Sequence, residues 1–289
     1  MARAVLIMLV GMAFIPLGDT FGKSLTSNGV APIFVAFTRF AIAAVLLVPF
    51  LPKGAFGALR DPRLWLRAAL ITGGICSILT ALSTEPIANV FGAFFIGPIV
   101  AYTLSAWLLG ETASRARTLL LLIGFCGVLM VVQPGPEMRP GLLWAVLAGT
   151  FYGAFLTASK WLVDAAPPLT LLFSQLAIAA LLTAPLGLLA IPPLDAWTLT
   201  LTMGSSLGSM MGNLLLILAF SLAQSTRLAP FVYFQIVAAT ALGWLVFGTL
   251  PDTLALAGIA VLVASGFASL ALPVSAGPTP AAPRADGRG

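Results

Sequence analysis

Residues 32–49 and 168–185, each opening and closing on a proline, are two versions of one apolar segment. Aligned without gaps they share Pro32/Pro168, Phe37/Phe173, Ala41/Ala177, Ile42/Ile178, Ala43/Ala179, Ala44/Ala180, Leu46/Leu182 and Pro49/Pro185, eight identities in 18 positions. Alanine and leucine matches count for little in so apolar a chain, so the proline and phenylalanine matches carry the comparison. Five apolar segments separate the start of one copy from the start of the other. An odd number makes the two copies cross a bilayer in opposite senses, and inverted repeats are the sequence mark of alternating-access carriers.

The bilayer follows from composition. The chain is 60% hydrophobic and only 8% charged, whereas about a quarter of a soluble domain is charged. Windows of about 20 apolar residues span the hydrocarbon, and ten occur: 4–24, 32–51, 64–83, 88–109, 117–133, 141–163, 168–190, 197–222, 226–247 and 253–272. The punctuation between them is short and rich in proline and glycine, with no room for a folded soluble domain. The expected fold is an all-α integral membrane protein of ten transmembrane helices, arranged as two inverted five-helix repeats. The first repeat covers 1–134 and the second 135–272, and 273–289 is a Pro/Ala/Gly-rich tail expected to be disordered. The first segment lacks a signal-peptide cleavage site and is expected to be retained.

Basic residues orient the bundle. With the N-terminus in the cytoplasm, the inside regions carry Arg3, Lys53, Arg60, Arg63, Arg67, Arg115, Arg117, Arg227, Arg284 and Arg288, and the outside regions only Arg139. Ten against one places both termini in the cytoplasm and a bacterial inner membrane around the chain. The basic balance is thus an orientation signal, and no nucleic-acid partner is expected. Histidine is absent and Cys76 and Cys126 lie in separate segments, so neither a metal nor a cofactor is expected, and an intramembrane enzyme has no constellation to work with.

The repeat continues as Phe14/Phe151, Thr20/Thr157 and Lys23/Lys160 in segments 1 and 6, and through the Trp107 and Trp244 ends of segments 4 and 9. With Gly110-Glu111 closing segment 4, Pro98 inside it, Arg39 in segment 2, and residues 229–235 leading to 243–248, the chain resembles the drug/metabolite transporter superfamily, in its ten-helix EamA-type branch. The resemblance implies a carrier for amino acids, nucleosides, drugs or other small metabolites. It also implies a central cavity lined by segments 1, 3, 4, 6, 8 and 9, with 5 and 10 at the periphery. The stretch around segment 9 looks as well like the branch that takes up S-adenosylmethionine. Thr249 and Ile236 stand where the first repeat has Glu111 and Pro98, so the halves have diverged.

Ionisable groups inside the hydrocarbon each need a reason. Asp19 and Lys23 are one helical turn apart in the favourable acid-first order, and are expected to form a self-neutralising pair with Lys23 snorkelling, with a gating or substrate-binding role as the alternative. Arg39 needs a carboxylate or carbonyls, and Asp19 is its natural partner. Glu85 before Pro86 and Glu111 near Arg115 and Arg117 are expected to be loop-solvated and surface-paired. Asp19, Glu85 and Glu111 are also the candidate gating or proton sites. Pro16, Pro98 and Pro230 break helices expected to line a cavity. Asn89, Asn213, Gln175 and Gln235 offer uncharged polar contacts. Tyr102, Tyr152, Phe155 and Tyr233 offer an aromatic wall suited to a sizeable side chain. Gly204, Gly208 and Gly212 repeat at GxxxG spacing and are expected to pack helices within a monomer, with a homodimer as the alternative. The expected function is a secondary transporter exporting amino acids, one half rocking against the other. Its partners are a small-molecule solute and the lipid bilayer, with protons as a candidate coupling ion. The alternatives are an uptake permease for a metabolite such as S-adenosylmethionine, or a multidrug or nucleoside exporter.

Overall fold

Helix starts in this chain are written into its prolines and aspartates. Proline opens α2 (Pro32–Leu47), α3 (Pro62–Thr84) and α8 (Pro168–Leu189), where its missing N–H would be unpaired anyway. Aspartate side chains cap three helices by accepting backbone N–H bonds at their first turns. Asp61 takes the Arg63 N–H at 2.9 Å, Asp195 the Thr198 N–H at 2.8 Å and Asp252 the Ala255 N–H at 2.8 Å. These caps begin α3, α9 (Ala196–Leu222) and α11 (Thr253–Ala268). The computed structural model describes residues 2–110, 115–135, 138–222 and 228–268. Glu111, the tail from 273, and Arg227, Arg284 and Arg288 of the charge tally lie outside the described residues.

The remaining helices are α1 (Ala2–Ser27), α4 (Ile87–Phe94), α5 (Gly97–Leu108), α6 (Arg115–Val132), α7 (Gly141–Trp161) and α10 (Phe234–Phe247). Six stretches are long and apolar enough to cross a membrane: Ala2–Ser27, Pro32–Phe50, Pro62–Thr84, Ile87–Leu108, Gly141–Trp161 and Pro168–Leu189. Shorter apolar helices cover Thr118–Val132, Phe231–Phe247 and Thr253–Ala268. The molecule is a multi-pass membrane protein whose large apolar side chains, such as Leu189, Trp107 and Leu245, face outward. Segment 4 is a broken helix. Its backbone turns at Phe95 and Ile96, and Gly97-Pro98 opens α5. Segment 9 begins as a 3-10 turn, Ala229–Tyr233, before α10. Proline removes one bond from the i to i−4 ladder, and both breaks fall at Pro98 and Pro230; Pro16, expected to break its helix, instead lies inside the continuous α1.

The two halves interleave. The most extensive packing joins α1 to α9, α3 to α7, α6 to α11 and α2 to α8, followed by α5 to α7, α3 to α8, α1 to α10 and α2 to α9. Exchanging the first five segments for the second five maps this set of pairs onto itself. Two lobes can be traced, one of α1, α2, α9 and α10 and one of α3, α4, α5, α7 and α8; each draws helices from both halves, and the extensive α2–α8 packing joins them. Some pairings break the symmetry: α3 packs on both α1 and α2, while the matching pairs, α9 with α7 and with α8, make no comparable contact among the described residues.

The α1–α9 seam is set by the glycines. A Cβ at Gly208 would come within 2.9 Å of the Gly18 Cα and 3.0 Å of its nitrogen, and one at Gly212 within 3.0 Å of the Ile15 nitrogen. The GxxxG spacing thus serves packing inside one chain. Gly208→Leu is expected to lower stability by about 1–3 kcal/mol through overpacking, read as a fall in the thermal midpoint of the protein in detergent. Gly57→Ala, at a position with open space around it, should leave the midpoint unchanged.

Candidate functional site

The bundle has two ends. Ser27, Thr84, Gly141 and Phe247 mark one, here the Ser27 end, and Arg60, Trp161 and Pro168 mark the other, the Arg60 end. Three polar or aromatic clusters lie between them.

The first is a buried ion pair. Arg39 of α2 donates from Nη1 to Asp19 Oδ1 of α1 at 2.6 Å, from Nη2 to the Gly18 carbonyl at 2.8 Å and from Nε to Ser205 Oγ of α9 at 2.8 Å. Ser205 Oγ also donates to the Gly18 carbonyl at 3.0 Å. Asp19 is 4% and Arg39 5% exposed. An arginine fork can satisfy three partners at once because its donors are planar and fixed. The result ties α1, α2 and α9 into one body. Arg39 and Asp19 are therefore partners, as their spacing and chemistry suggested.

The second cluster corrects the reading of Lys23. It does not pair with Asp19 or reach toward water. Its ammonium is 8% exposed and donates to the carbonyls of Leu82 and Glu85, each at 2.7 Å, at the finish of α3. The C-terminus of a helix carries unpaired carbonyls and partial negative charge, which an ammonium complements. The Phe247 ring stands 5.5 Å from the Lys23 Nζ. Glu85 is corrected too: it is 5% exposed rather than loop-solvated, and Arg139 reaches its Oε2 at 3.8 Å. Lys23 thus links the α1 lobe to the α3 lobe, and it does so at the Ser27 end. Its repeat mate Lys160 is exposed near the end of α7.

The third is a run of rings. Tyr233, at the finish of the 3-10 turn, lies 5.1 Å from Phe95; Phe95 lies 6.4 Å from Phe94, Phe94 5.0 Å from Tyr152, and Tyr152 6.0 Å from Phe155. Aromatic centroids at these separations attract one another beyond their buried area. The run crosses from lobe to lobe at the two helix breaks, through residues 94–95 of the α4–α5 turn. The Arg67 guanidinium closes it, 4.8 Å from the Phe155 ring. Arg67 corrects the charge tally, which counts it among the cytoplasmic residues: it sits inside α3 and is 8% exposed.

Other candidates fall elsewhere. Tyr102 is within hydrogen-bond distance of Thr118, 3.1 Å away, between α5 and α6. Asn213 is exposed and donates back to the Ser209 carbonyl at 2.8 Å. Gln175 and Gln235 are both buried. Asn89, in the first turn of α4, is buried with its Oδ1 lacking a hydrogen bond, as do the Ser206 and Ser209 hydroxyls of α9. A cavity of about 410 Å³ opens at the Arg60 end beside Lys53, Asp61, Leu64 and Thr170, away from the ring run. Sequence reasoning missed Ser205, Phe94, Phe95 and the role of Arg67. For Arg67 the signal was present, since it falls a full turn inside its apolar segment.

Removing one partner of a buried ion pair leaves the other charge stranded, at about 3–5 kcal/mol. Asp19→Asn and Arg39→Gln should each depress the thermal midpoint of the purified protein. The double variant should recover part of the loss, a positive coupling in a double-mutant cycle. Additive losses would mean that the 2.6 Å contact carries no coupling.

Comparison with known proteins bears on this arrangement. The chain is 27% identical over 235 residues to the S-adenosylmethionine uptake transporter of Rickettsia bellii, spanning 79% of this chain and 80% of that one. It is 27% identical over 273 residues to the riboflavin transporter of Vibrio cholerae, spanning 91% and 90%. It is 28% identical over 236 residues to the pseudopaline exporter CntI of Pseudomonas aeruginosa, spanning 79% and 82%. A solved crystal structure shares the fold with a TM-score of 0.59 at 21% identity, covering 93% of this chain and 96% of that one. All three named relatives are transporters, and this chain is a small-molecule transporter of the membrane. It belongs to the EamA-like transporter family, whose model it matches twice in tandem, over residues 2–133 and 139–270.

Proposed function

We propose that this protein is a secondary transporter in a bacterial inner membrane, crossing it ten times with both termini in the cytoplasm. It moves a ring-bearing small metabolite of amino-acid type by alternating access. The moving bodies are the two mixed lobes, and the path runs along the seam between them, past the aromatic run. The observation that carries this reading is the Lys23 bridge. It is a buried cation joining the two lobes at one end of the bundle only, while the matching α7–α9 contact at the other end lacks comparable packing. A carrier closed on one side and separable on the other has this asymmetry built in. With the termini in the cytoplasm the Ser27 end faces outward, so Lys23 holds the external gate shut.

Export is the leading direction and uptake the second reading. Uptake is favoured by the several S-adenosylmethionine uptake transporters among the relatives. Named uptake transporters and a named exporter both resemble this chain at similar identity, which accords with a fold that leaves direction to the gradient or to a coupled ion.

Counterflow in proteoliposomes preloaded with an unlabelled amino-acid mixture tests the function. Accumulation of labelled tryptophan, methionine or threonine without an imposed ion gradient is the expected result. Absence of accumulation with folded protein in the vesicles would overturn the amino-acid reading. Labelled S-adenosylmethionine in the same vesicles tests the second.

The gate has its own test. In a Cys76→Ser, Cys126→Ser background, a cysteine replacing the buried Asn89 should react slowly with an external, membrane-impermeant maleimide. Each hydrogen bond from a charged donor stabilises by about 1.5–3 kcal/mol. Adding Lys23→Gln should therefore speed labelling at least several-fold. Equal rates with and without Lys23 would show that it locks nothing.

A further inference from the structure

Five charged side chains are buried in the described bundle: Asp19, Lys23, Arg39, Arg67 and Glu85. Four are accounted for. Asp19 neutralises Arg39, the carbonyls finishing α3 receive Lys23, and Glu85 has Arg139. Arg67 is the exception. Its Nε donates to Ser159 Oγ at 2.8 Å and its Nη1 to the Leu171 carbonyl at 3.0 Å, both neutral acceptors. A guanidinium has five N–H donors, so three are left, including the whole Nη2 group, and no carboxylate among the described residues approaches it.

The internal repeat shows that this lack is a departure rather than a general feature of the fold. Arg39 pins α1, α2 and α9, and Arg67 pins α7, α8 and α3, the same trio of helices after the halves are exchanged. In the first trio α1 supplies the countercharge, Asp19. Under the alignment that pairs Thr20 with Thr157 and Lys23 with Lys160, the mate of Asp19 is Leu156. The mate of Arg39 itself is Gln175. Among the described residues the second trio therefore holds a buried cation bonded only to neutral acceptors.

The surroundings say what would supply it. The guanidinium lies 4.8 Å from Phe155, and the ring run Phe155, Tyr152, Phe94 leads from it to the turn between α4 and α5. We propose that Arg67 is a substrate-recognition residue that receives the carboxylate of a planar, ring-bearing solute, with the ring lying against Phe155 and Tyr152. Guanidinium and carboxylate match as bidentate partners, and an aromatic face beside the cation favours a second flat group. This assignment rests on the transport reading above and narrows it to solutes carrying an anionic group.

The test needs no variant to be decisive. Intrinsic tryptophan fluorescence reports thermal unfolding of the purified protein in detergent, titrated with 3-phenylpropionate or with 3-phenylpropionamide, which keeps the ring and chain but removes the charge. The carboxylate should bind roughly tenfold more tightly, since a hydrogen bond to an ionised group is worth more than one to a neutral amide. Arg67→Lys should narrow the preference and Arg67→Gln abolish it, while Arg60→Lys, at an exposed position, leaves it intact. Equal binding of the two probes, tighter binding of the amide, no binding of either to the folded wild type, or an undiminished preference in Arg67→Gln would each overturn the assignment. The transport reading fails separately. Counterflow of a solute with no anionic group would keep the carrier and remove Arg67 from recognition.

Discussion

Polar groups in a hydrocarbon must find their partners inside the protein, and in this bundle the demands of Arg39 organise one whole lobe. Its three donor nitrogens reach a carboxylate on α1, a backbone carbonyl on the same helix and a hydroxyl on α9. That geometry requires α1 and α9 to lie almost in contact, and Gly18 and Gly208 remove the side chains that would keep them apart. Close packing and charge satisfaction are therefore one arrangement. The glycines let the helices approach, the approach brings Ser205 beside Gly18, and the arginine fixes the register of all three helices. Hydroxyls elsewhere in the helices, such as Thr20, Thr72, Thr80 and Thr183, donate to carbonyls one turn back. Such bonds are satisfied locally and ask nothing of neighbouring helices. Ser205 is different because it faces another helix.

The polar and ring contacts between the lobes are of another kind. Lys23 meets carbonyl oxygens at a helix end, and Tyr233 meets Phe95 ring to ring. Neither contact is a salt bridge. An ammonium leaving two carbonyls for water recovers most of its solvation, and sliding rings lose little. Multiply bonded arginines thus tie the helices within each lobe, while the α2–α8 packing, Lys23 and the rings join one lobe to the other.

Much of the secondary structure was legible because a bilayer imposes one rule, apolar windows of fixed length. The punctuation was legible for local reasons as well, since Pro32, Pro62 and Pro168 start helices and Asp61, Asp195 and Asp252 cap them. The partnership of Asp19 with Arg39 followed from charge compensation alone. Lys23 did not follow. Four-residue spacing to Asp19 suggested a local pair, but Arg39 takes that carboxylate with better geometry, and the free carbonyls at the finish of α3 are invisible in a one-dimensional reading. Glu85 was misread because its neighbour Pro86 suggests a solvated loop, whereas Arg139, far along the chain, folds onto it. Sequence periodicity places a residue on a helix; which helix it then faces is decided by lobes that mix the two halves.

The differences between the halves matter more for function than their likeness. The tandem repeat supplies two similar trios of helices, and the residues that differ between them set their charges apart. Asp19 against Leu156 gives one trio a countercharge on its first helix that the other lacks at the matching position. Lys23 is buried on the finish of α3, while its mate Lys160 is exposed. Arg39 against Gln175 moves the second pin from the α2-type helix to α3. The two halves therefore share a helical plan and differ in where their buried charges sit and in what receives them.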